Sequence, residues 1–597
     1  MAAAIAMFAT RLPRRAIESV AFATAVATLG VSVVLLHRAG GHRIVYWFSG
    51  WHPRHGVAIG ISFTIDAVGA GAAVLISFLF CAAFMFSWRY FQEAVQGRYS
   101  ILMLVFLGAM NGFVLTGDLF DLFVFFELLS VAAYALTAYQ IEERGPLQGG
   151  LNFAIVNSLG SFGVLLGIAL VYARTGALNL AQIGHVLHGH PPTGAIVVGF
   201  TLIVVGLLVK AGAVPFQFWL SDAYAVVSPS VGVLFTGIMS ELGLFGVVRL
   251  YWTAFQGSLG MHQVALGHVL IGLGVLTAVV GAVMCFLQQH LRRLIAFATV
   301  GHVGVSLIGV GLLEHVGMAG AVIYVVSSGL IKASLFLLCG ILVFRLAMID
   351  EDTLRGRGKA LVGTGLMFAV GGIALAEVPP FATFTGKTLI EDAASRAGYH
   401  WMPWVFGLTA ALTAGAVLRA AAGIFLGWGE GGFRRFGPEQ LGEEEIAEEV
   451  RRPEDHTPLT MWMPAAVLLA AGFSLGLLPG LSGHVERAAA QFQDRSGYER
   501  AVLGNVDVPE PFVRAEGPSS LGAWYGLASG AAAVSLALVS LFRRRIVSSA
   551  IRRRVEAAVG PPIKRLRLLH SGHVGDYAAW FVLGLAALGG LFALATR

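Results

Sequence analysis

Long apolar runs separated by short polar segments make up most of the chain. Runs of about 17–27 residues lie near 16–37, 62–87, 100–117, 119–139, 150–173, 194–219, 229–252, 264–288, 292–313, 317–344, 360–395, 402–428, 461–480, 521–541 and 574–595. A helix needs about 20 apolar residues to cross the hydrocarbon layer of a bilayer, and there it satisfies its own backbone. The pattern therefore predicts an all-α, polytopic transmembrane helical bundle with about fifteen spans.

Composition supports a membrane protein and argues against several other classes. Of 597 residues, 57% are hydrophobic and only 12% are charged, and the mean hydropathy is +0.77. The net charge of +6 is therefore assigned to loops that orient the spans, and no nucleic-acid partner is expected. Cys81, Cys285 and Cys339 each stand alone in an apolar run, without a CxxC pair. We expect no metal site and no bound cofactor.

Lysine and arginine in the short loops predict the orientation. The densest cluster lies in 542–573, and placing it in the cytoplasm also places 345–359, 288–293 and 87–100 there. The loop 38–55 disagrees, because it carries three arginines yet falls outside. We expect a multi-pass protein of the cell (inner) membrane, with a cytoplasmic N-terminus and an external C-terminus.

The chain divides into five predicted segments. The N-terminal helices occupy 1–99, where the first apolar stretch is short and the first helix looks truncated. Two five-helix repeats of inverted topology follow at 100–252 and 253–428. A charged cytoplasmic linker spans 429–460. The C-terminal helices of 461–597 include an external amphipathic segment within 482–520.

Ionisable side chains inside the predicted spans are the main functional signal. Each costs about 2.5–3.5 kcal/mol at a helix centre, so it needs a partner or a wet cavity. Any one of them could be structural, as a paired or interfacial charge or a core histidine. As a set with alternating sign on successive helices they favour an ion pathway. They are Glu127, Lys210, Glu241, His302, Lys332, Glu377 and Lys387.

Prolines interrupt two of the spans beside these charges. Pro215 breaks the sixth span, and Pro379 with Pro380 breaks the eleventh. Interrupted helices at matching places in two halves are typical of inverted-repeat transporters, whose sites lie at the breaks. The match is imperfect, because Lys210 precedes its break whereas Lys387 follows its own. Glu127 is the expected carboxylate partner of Lys210.

Five stretches, taken together, resemble the antiporter-like membrane subunits. They are "GDLFDLFVFFELLSVAAYALTAY", "VKAGAVPFQFWLSDAYAVVSPSVGVLF", "LRRLIAFATVGHVG", "GLIKASLFL" and "ALAEVPPFATFTGK". That family includes the proton-translocating subunits of respiratory complex I, the large A-type and D-type subunits of Mrp cation/proton antiporters, and membrane subunits of formate hydrogenlyase and hydrogenase-4. The resemblance implies a fourteen-helix core with two inverted five-helix repeats and no redox cofactor.

The resemblance also implies roles for individual residues. Glu127 and Lys210 correspond to the family's glutamate and to the lysine of the first broken helix. Lys332 corresponds to the central lysine of the second repeat, and Lys387 to the lysine by the second break. His302 corresponds to a polar position on the preceding helix.

Three positions depart from the family pattern. Glu241 stands where a lysine is usual, Ser328 where a histidine is frequent, and His290 where an aspartate is frequent. A relay step that is usually lysine to lysine would therefore pass through a carboxylate at Glu241.

Three functions follow as hypotheses. The first is a proton-conducting, or Na⁺/H⁺-exchanging, subunit without redox chemistry of its own, in an NADH:quinone oxidoreductase or a membrane-bound hydrogenase. The second is a subunit of an Mrp-type antiporter. The third is a membrane scaffold for a soluble partner, as in inorganic-carbon uptake. In each the partners are other subunits of a larger complex.

Overall fold

The computed structural model is almost entirely helical. It describes residues 13–54, 56–91, 98–429, 454–504, 506, 519–546, 548 and 573–596, with isolated positions 550, 554, 557, 560 and 561. The N-terminal residues 1–12 and 430–453 of the predicted linker lie outside the described residues, as does much of the arginine-rich segment 542–573.

The first part of the chain contains the N-terminal helix, one β-hairpin, the helices up to the first break and the short helix that follows it. These elements are α1 (Arg14–Ala39), β1 (Ile44–Trp47), β2 (Ser62–Ile65), α2 (Ala67–Tyr90), α3 (Arg98–Leu115), α4 (Leu119–Thr137), α5 (Arg144–Thr175), α6 (Leu180–Leu187), α7 (Gly194–Ala211) and α8 (Phe218–Val226).

A continuous helical stretch, Pro229–Phe286, connects the two halves. It consists of α9 (Pro229–Leu234), a π-helical turn at Phe235–Met239, α10 (Ser240–Leu250), a second π-helical turn at Tyr251–Phe255, α11 (Gln256–Leu259), a 3₁₀ turn at Gly260–His262 and α12 (Gln263–Phe286).

The second half and the C-terminal region complete the bundle. Their helices are α13 (Leu291–Gly311), α14 (His315–Leu346), α15 (Glu351–Leu354), α16 (Val362–Leu375), α17 (Ala382–Arg396), α18 (Met402–Ala421), α19 (Leu459–Gly476), α20 (Leu481–Gln493), α21 (Arg495–Leu503), α22 (Ser520–Leu541), α23 (Arg543–Ile546) and α24 (Val574–Ala595). A π-helical turn, Ala422–Leu426, extends α18.

The predicted all-α transmembrane fold is confirmed. Among the described residues, thirteen helices are long and apolar enough to cross a membrane. One of them, Pro229–Phe286, contains two predicted spans, and the predicted broken span 360–395 corresponds to the shorter apolar helix α16 followed by α17. The count of fifteen spans stays a prediction.

Helices α13 and α14 form the centre of the bundle. Every residue of α13 is buried, and α14 contacts α13, α17 and α19. Glycines permit the closest approach, since a Cβ at Gly304 of α13 would collide with the backbone of Ala278 on α12. Such small-residue contacts are typical of helix packing in membranes.

The hairpin was not predicted from the sequence, and it accounts for one of the three arginines in the loop that disagreed with the predicted orientation. Strands β1 and β2 pair antiparallel, with Ile44 opposite Ile65. Arg43, just before β1, is buried and donates to the carbonyl oxygen of Asp494, and its guanidinium lies over the ring of Tyr498. Burial lowers the pKa of Arg43. This arginine is therefore part of the packing between the hairpin and α21, not a solvated charge that orients a loop.

The two C-terminal helices each pack against one broken helix. Helix α22 contacts α17 and α18, and Ser529 on α22 donates to the carbonyl oxygen of Ala376 at the second break (2.8 Å). Helix α24 contacts α5, α7 and α12, and Gly584 on α24 lies against Pro215 and Phe216 at the first break. The amphipathic segment predicted within 482–520 contains α20 and α21.

Candidate functional site

The two helix breaks have the same local geometry in the same register. Gly212, which follows α7, and Glu377, which follows the C-cap of α16, both adopt left-handed backbone conformations, with φ of 68° and 58°. Their separation of 165 residues (377 − 212) equals that of Phe216 and Phe381 (381 − 216). A left-handed glutamate is uncommon, because its Cβ crowds the backbone. Glu377 is therefore held in a strained conformation at the break.

Neighbouring side chains satisfy backbone groups that the breaks release. At the first break, Val214 N–H donates to Thr277 Oγ1 (3.1 Å), and Trp219 Nε1 donates to the carbonyl oxygen of Val209 (3.0 Å). At the second, Thr383 Oγ1 donates to the carbonyl oxygen of Ala374 (2.8 Å). Irregular backbone at membrane depth is stable only where protein or water satisfies it, and these bonds supply that condition.

Lys210 lies in the last turn of α7, beside the aromatic rings of Phe126 and Phe153. Its Nζ donates to Ser130 Oγ on α4 (2.9 Å) and lies 5.3 Å from the ring centroid of Phe153. Glu127, also on α4, is the charged neighbour of Lys210 but accepts a hydrogen bond from Ser161 on α5. Within the described residues the two form no direct ion pair. Glu127 and Lys210, the expected partners, are thus charged neighbours without direct contact. The ammonium group of Lys210 donates to Ser130 instead.

Glu241 contacts the second half. Its carboxylate lies 3.7 Å from Nζ of Lys332 on α14, and both side chains are buried. Glu241 is the second residue of α10, directly after the π-helical turn Phe235–Met239, and such turns are frequent at functional sites. No ion pair joins Glu241 to Lys210 in the described part of the chain.

His302 and Tyr324 lie between Lys332 and the second break. The imidazole of His302 lies 5.5 Å from the ring of Tyr324, centroid to centroid, and Lys332 is its charged neighbour. The hydroxyl of Tyr324 donates to Glu377 Oε1 (2.6 Å). Tyr324 therefore packs beside the histidine and is hydrogen-bonded to the carboxylate at the break.

Lys387 is flanked by two carboxylates. Its Nζ lies 3.5 Å from Glu377 Oε2 and 3.4 Å from Glu391 Oε1, and all three side chains are buried. The pair Lys387 and Glu391 is spaced i, i+4 on α17, which places both on one face of the helix.

Many polar atoms along this row have no hydrogen-bond partner among the described residues. They include both carboxylate oxygens of Glu241 and Glu391, both ring nitrogens of His302, Nζ of Lys332 and Lys387, and the hydroxyls of Ser306 and Ser328. Buried polar groups in native proteins are paired with protein or with water. A row of this kind is suited to hold ordered water between its ionisable groups.

A cavity of about 880 Å³ reaches the middle of the row from the side of α1, α2 and α19. Glu241 and Ser306 line it together with mainly apolar side chains, and His484 and Arg487 of α20 also line it.

Two residues of the row, Tyr324 and Glu391, were not predicted from the sequence, and neither was Asp222, a buried residue of α8 outside the row. A signal for Asp222 was present, because the 165-residue register of the breaks makes it the counterpart of Lys387 (222 + 165 = 387). Glu391 could have been found from its i, i+4 spacing to Lys387. Tyr324 lies in an apolar run, and nothing in the sequence distinguishes it from a core tyrosine.

His290 precedes α13 as its N-cap. Its Nδ1 accepts from the backbone N–H of Arg293 (3.4 Å). Burial, with Arg293 and Arg292 nearby, lowers the pKa of His290 well below its usual range. The neutral ring thus supplies the acceptor that an aspartate would supply at this position.

No group of three or more His, Cys, Asp or Glu side chains suited to hold a metal ion occurs in the described part of the chain.

Comparison with known proteins identifies the family. A profile described as "NADH:quinone oxidoreductase/Mrp antiporter, TM" matches residues 116–413. The chain belongs to this family. The matched range includes both helix breaks and every ionisable residue of the row.

Two individual relatives and one solved structure support the same family. The D-type subunit of the Na⁺/H⁺ antiporter of Bacillus subtilis (strain 168) is 28% identical over 404 residues, which are 66% of this chain and 76% of that protein. The N-type subunit of the NADH-quinone oxidoreductase of Desulforudis audaxviator (strain MP104C) is 27% identical over 438 residues, 72% of this chain and 84% of that protein. A chain of the Mrp complex from Dietzia sp. DQ12-45-1b superposes with a TM-score of 0.74 and 26% identity, over 84% of this chain and 97% of that chain. The predicted resemblance is confirmed: the protein is an antiporter-like membrane subunit.

Proposed function

We propose that this antiporter-like subunit moves protons along the buried row of charged residues from Lys210 to Lys387. The observation that carries the proposal is the set of contacts made by two lysines of the second half. Glu241 contacts Lys332, and Lys387 contacts both Glu377 and Glu391. Each of these two lysines thus has a buried carboxylate within 4 Å that can hold or release its ammonium group.

The physical basis is that two opposing effects set whether a buried lysine keeps its proton. A nearby carboxylate favours the charged ammonium group, whereas burial favours the neutral amine. Changing the charge or the distance of one group therefore changes whether the next lysine retains its proton. A row of such groups can pass a proton stepwise, with water and hydroxyls bridging the gaps.

Glu241 takes the position of a carrier in this scheme. It lies on α10, between α7 with Lys210 and α14 with Lys332, and it contacts the latter. Its carboxylate can accept a proton from the first half and transfer it to Lys332. A competing role, in which Glu241 holds the ammonium of Lys210, is not favoured because the two form no ion pair in the described structure.

The two halves are proposed to be inverted repeats, 100–252 and 253–428. Support comes from the common register of the breaks at Gly212 and Glu377. The N-terminus is proposed to be cytoplasmic and the C-terminus external, in the cell membrane. The burial of Arg43 supports this orientation, since it removes one of the three arginines that opposed it.

The partner subunits are proposed to be those of a larger membrane complex. One relative is named as part of a Na⁺/H⁺ antiporter and another as part of an NADH-quinone oxidoreductase. Exchange of Na⁺ for H⁺ is therefore the second candidate function, favoured by the first relative's name.

Transport by the complex reconstituted into liposomes separates the two functions. Internal pH is followed with a fluorescent dye while the complex is driven by its electron donor, or by an imposed Na⁺ gradient. Proton movement that needs the electron donor and is insensitive to Na⁺ supports the relay in an oxidoreductase. Proton movement that follows the Na⁺ gradient alone supports exchange, and its absence under both conditions overturns the proposal.

A further inference from the structure

Asp222 is a buried carboxylate that the row from Lys210 to Lys387 does not use. It lies on α8, the helix that follows the first break, and is 8% exposed. The two breaks are 165 residues apart, and so are Asp222 and Lys387. Asp222 therefore occupies the position in the first half that Lys387 occupies in the second. A charged residue thus follows each break at the same distance, with opposite sign in the two halves.

The side chains around Asp222 come from three other helices. Tyr577 of α24 donates its hydroxyl to Asp222 Oδ2 (2.9 Å), and Asn152 Nδ2 of α5 donates to the same oxygen (3.2 Å). Arg293, at the start of α13, is its charged neighbour. Two donors and one cation therefore favour the charged carboxylate, whereas its burial favours the protonated acid.

Helix α24 reaches Asp222 through a well-packed contact. The ring of Tyr577 stacks on Phe218, with centroids 5.4 Å apart and an interplanar angle of 13°. Phe581, one turn further along α24, packs against Phe216 at the break. Tyr577 is therefore fixed to the segment that carries Asp222, and a movement of α24 would change the hydrogen bond.

Helix α8 also contacts the segment that carries Glu241, on a different face from Asp222. Tyr224, two residues later on α8, shares a hydrogen bond with Ser240 (3.0 Å), the residue before Glu241. In the proposed orientation the end of α8 and the starts of α5, α13 and α24 all lie on the cytoplasmic side, so Asp222 is placed near that surface.

We propose that Asp222 is a further proton-carrying residue, which takes up protons on the cytoplasmic side of the first half, and that Tyr577 of the C-terminal helix positions it. This inference rests on the proposed function. A carboxylate oxygen accepts a proton from hydronium in the cytoplasmic water: an O–H bond of hydronium breaks, an O–H bond forms on Asp222, and a water molecule is left. The new bond breaks when the proton passes to the next acceptor in the row, and the carboxylate is restored. Asp222 is unchanged after each cycle, and no other reactant is needed.

The test uses the whole complex in liposomes, with proton uptake measured between about pH 6 and 9, the range in which a shifted carboxyl or lysine group titrates. Asp222→Asn should lower the uptake rate about a hundredfold, the scale of a lost proton-transfer group, and Asp222→Glu should recover part of it.

Tyr577→Phe should retain transport but move the pH of half-maximal rate upward by about one unit, since the lost bond favoured the charged carboxylate. The other charged or polar neighbours, Arg293 and Asn152, are left intact in that variant.

Tyr251→Phe is the matched control, because the Tyr251 hydroxyl is buried without a hydrogen-bond partner in the described structure. Its pH profile should equal that of the wild type. If Asp222→Asn fails to assemble, the shift in Tyr577→Phe relative to Tyr251→Phe still decides the matter, and equal profiles overturn the inference.

Lys332→Ala, measured in parallel, separates this inference from the proposed function. Normal uptake in Lys332→Ala contradicts the proposed function itself. Loss of uptake in Lys332→Ala with a normal rate in Asp222→Asn contradicts only the role of Asp222.

Discussion

Glu241 pairs with Lys332 across the centre of the molecule, at 3.7 Å, although Lys210 lies on a helix that also packs against α10. A carboxylate stands at this position, where the resemblance to the family predicts a lysine. The contact makes Glu241 the link between the first half and the second, and it is the structural basis of the predictions on transport.

The first prediction concerns Glu241. Glu241→Gln removes the carboxylate but keeps the shape of the side chain, so proton transport by the complex should fall about a hundredfold. Glu241→Asp should retain a measurable rate. The rate is measured as dye-detected acidification in liposomes, and wild-type transport in Glu241→Gln would show that Glu241 has no role in the relay.

The second prediction separates the two carboxylates beside Lys387. Glu377 also accepts from Tyr324 and lies in the break, whereas Glu391 contacts Lys387 from the next turn of α17. Glu377→Gln should stop transport, because the amide can still accept from Tyr324 but can neither take up a proton nor balance the charge of Lys387. Glu391→Gln should slow transport about tenfold, since only one of two partners is lost. Equal rates in the two variants would contradict this assignment.

The third prediction concerns stability at the hairpin. Asp66 and Arg249 form a buried ion pair at 2.5 Å, and the guanidinium lies 4.0 Å from the ring centroid of Phe492. Asp66→Asn leaves a buried cation without its counter-charge, which should cost about 3–5 kcal/mol of the free energy of unfolding. The double variant Asp66→Asn, Arg249→Met should recover much of that loss. An unchanged melting temperature in Asp66→Asn would contradict the prediction.

The same pair predicts a pH dependence. Burial alone would raise the pKa of Asp66, but the charge and hydrogen bond of Arg249 lower it overall. A lowered pKa contributes stability that is complete above the unfolded value of about 3.9 and is lost as the pH falls through the folded value. The melting temperature of the wild type should therefore fall more steeply below about pH 4 than that of the double variant.

The fourth prediction concerns orientation. A cysteine introduced as Ser548→Cys, within the arginine-rich segment, should react with a membrane-impermeant thiol reagent only after the cells are opened. The native Cys81, Cys285 and Cys339 lie in transmembrane helices, and the wild type supplies the background. Labelling in intact cells would show that the orientation is the reverse of the proposed one, and Asp222 would then lie near the external side.

The helices could be predicted from the sequence because long apolar runs permit few alternatives in a bilayer. The hairpin could not, because its strands have four residues each and β2 merges with the apolar run of α2. The charged residues of the row were identified as costly inside a membrane. The pairing of Glu241 with Lys332 could not be predicted, because the order of the helices does not fix which faces meet. From the sequence alone, Glu241 could equally have faced Lys210.

Protons are proposed to pass through the first half by way of Lys210. The most direct test is dye-detected proton transport by the complex carrying Lys210→Ala, after analysis of its protein composition has shown that it assembles. Lys210→Arg serves as the matched variant that keeps the charge but does not release its proton. Both variants should assemble, and neither should transport protons. Normal transport in an assembled Lys210→Ala complex would contradict it.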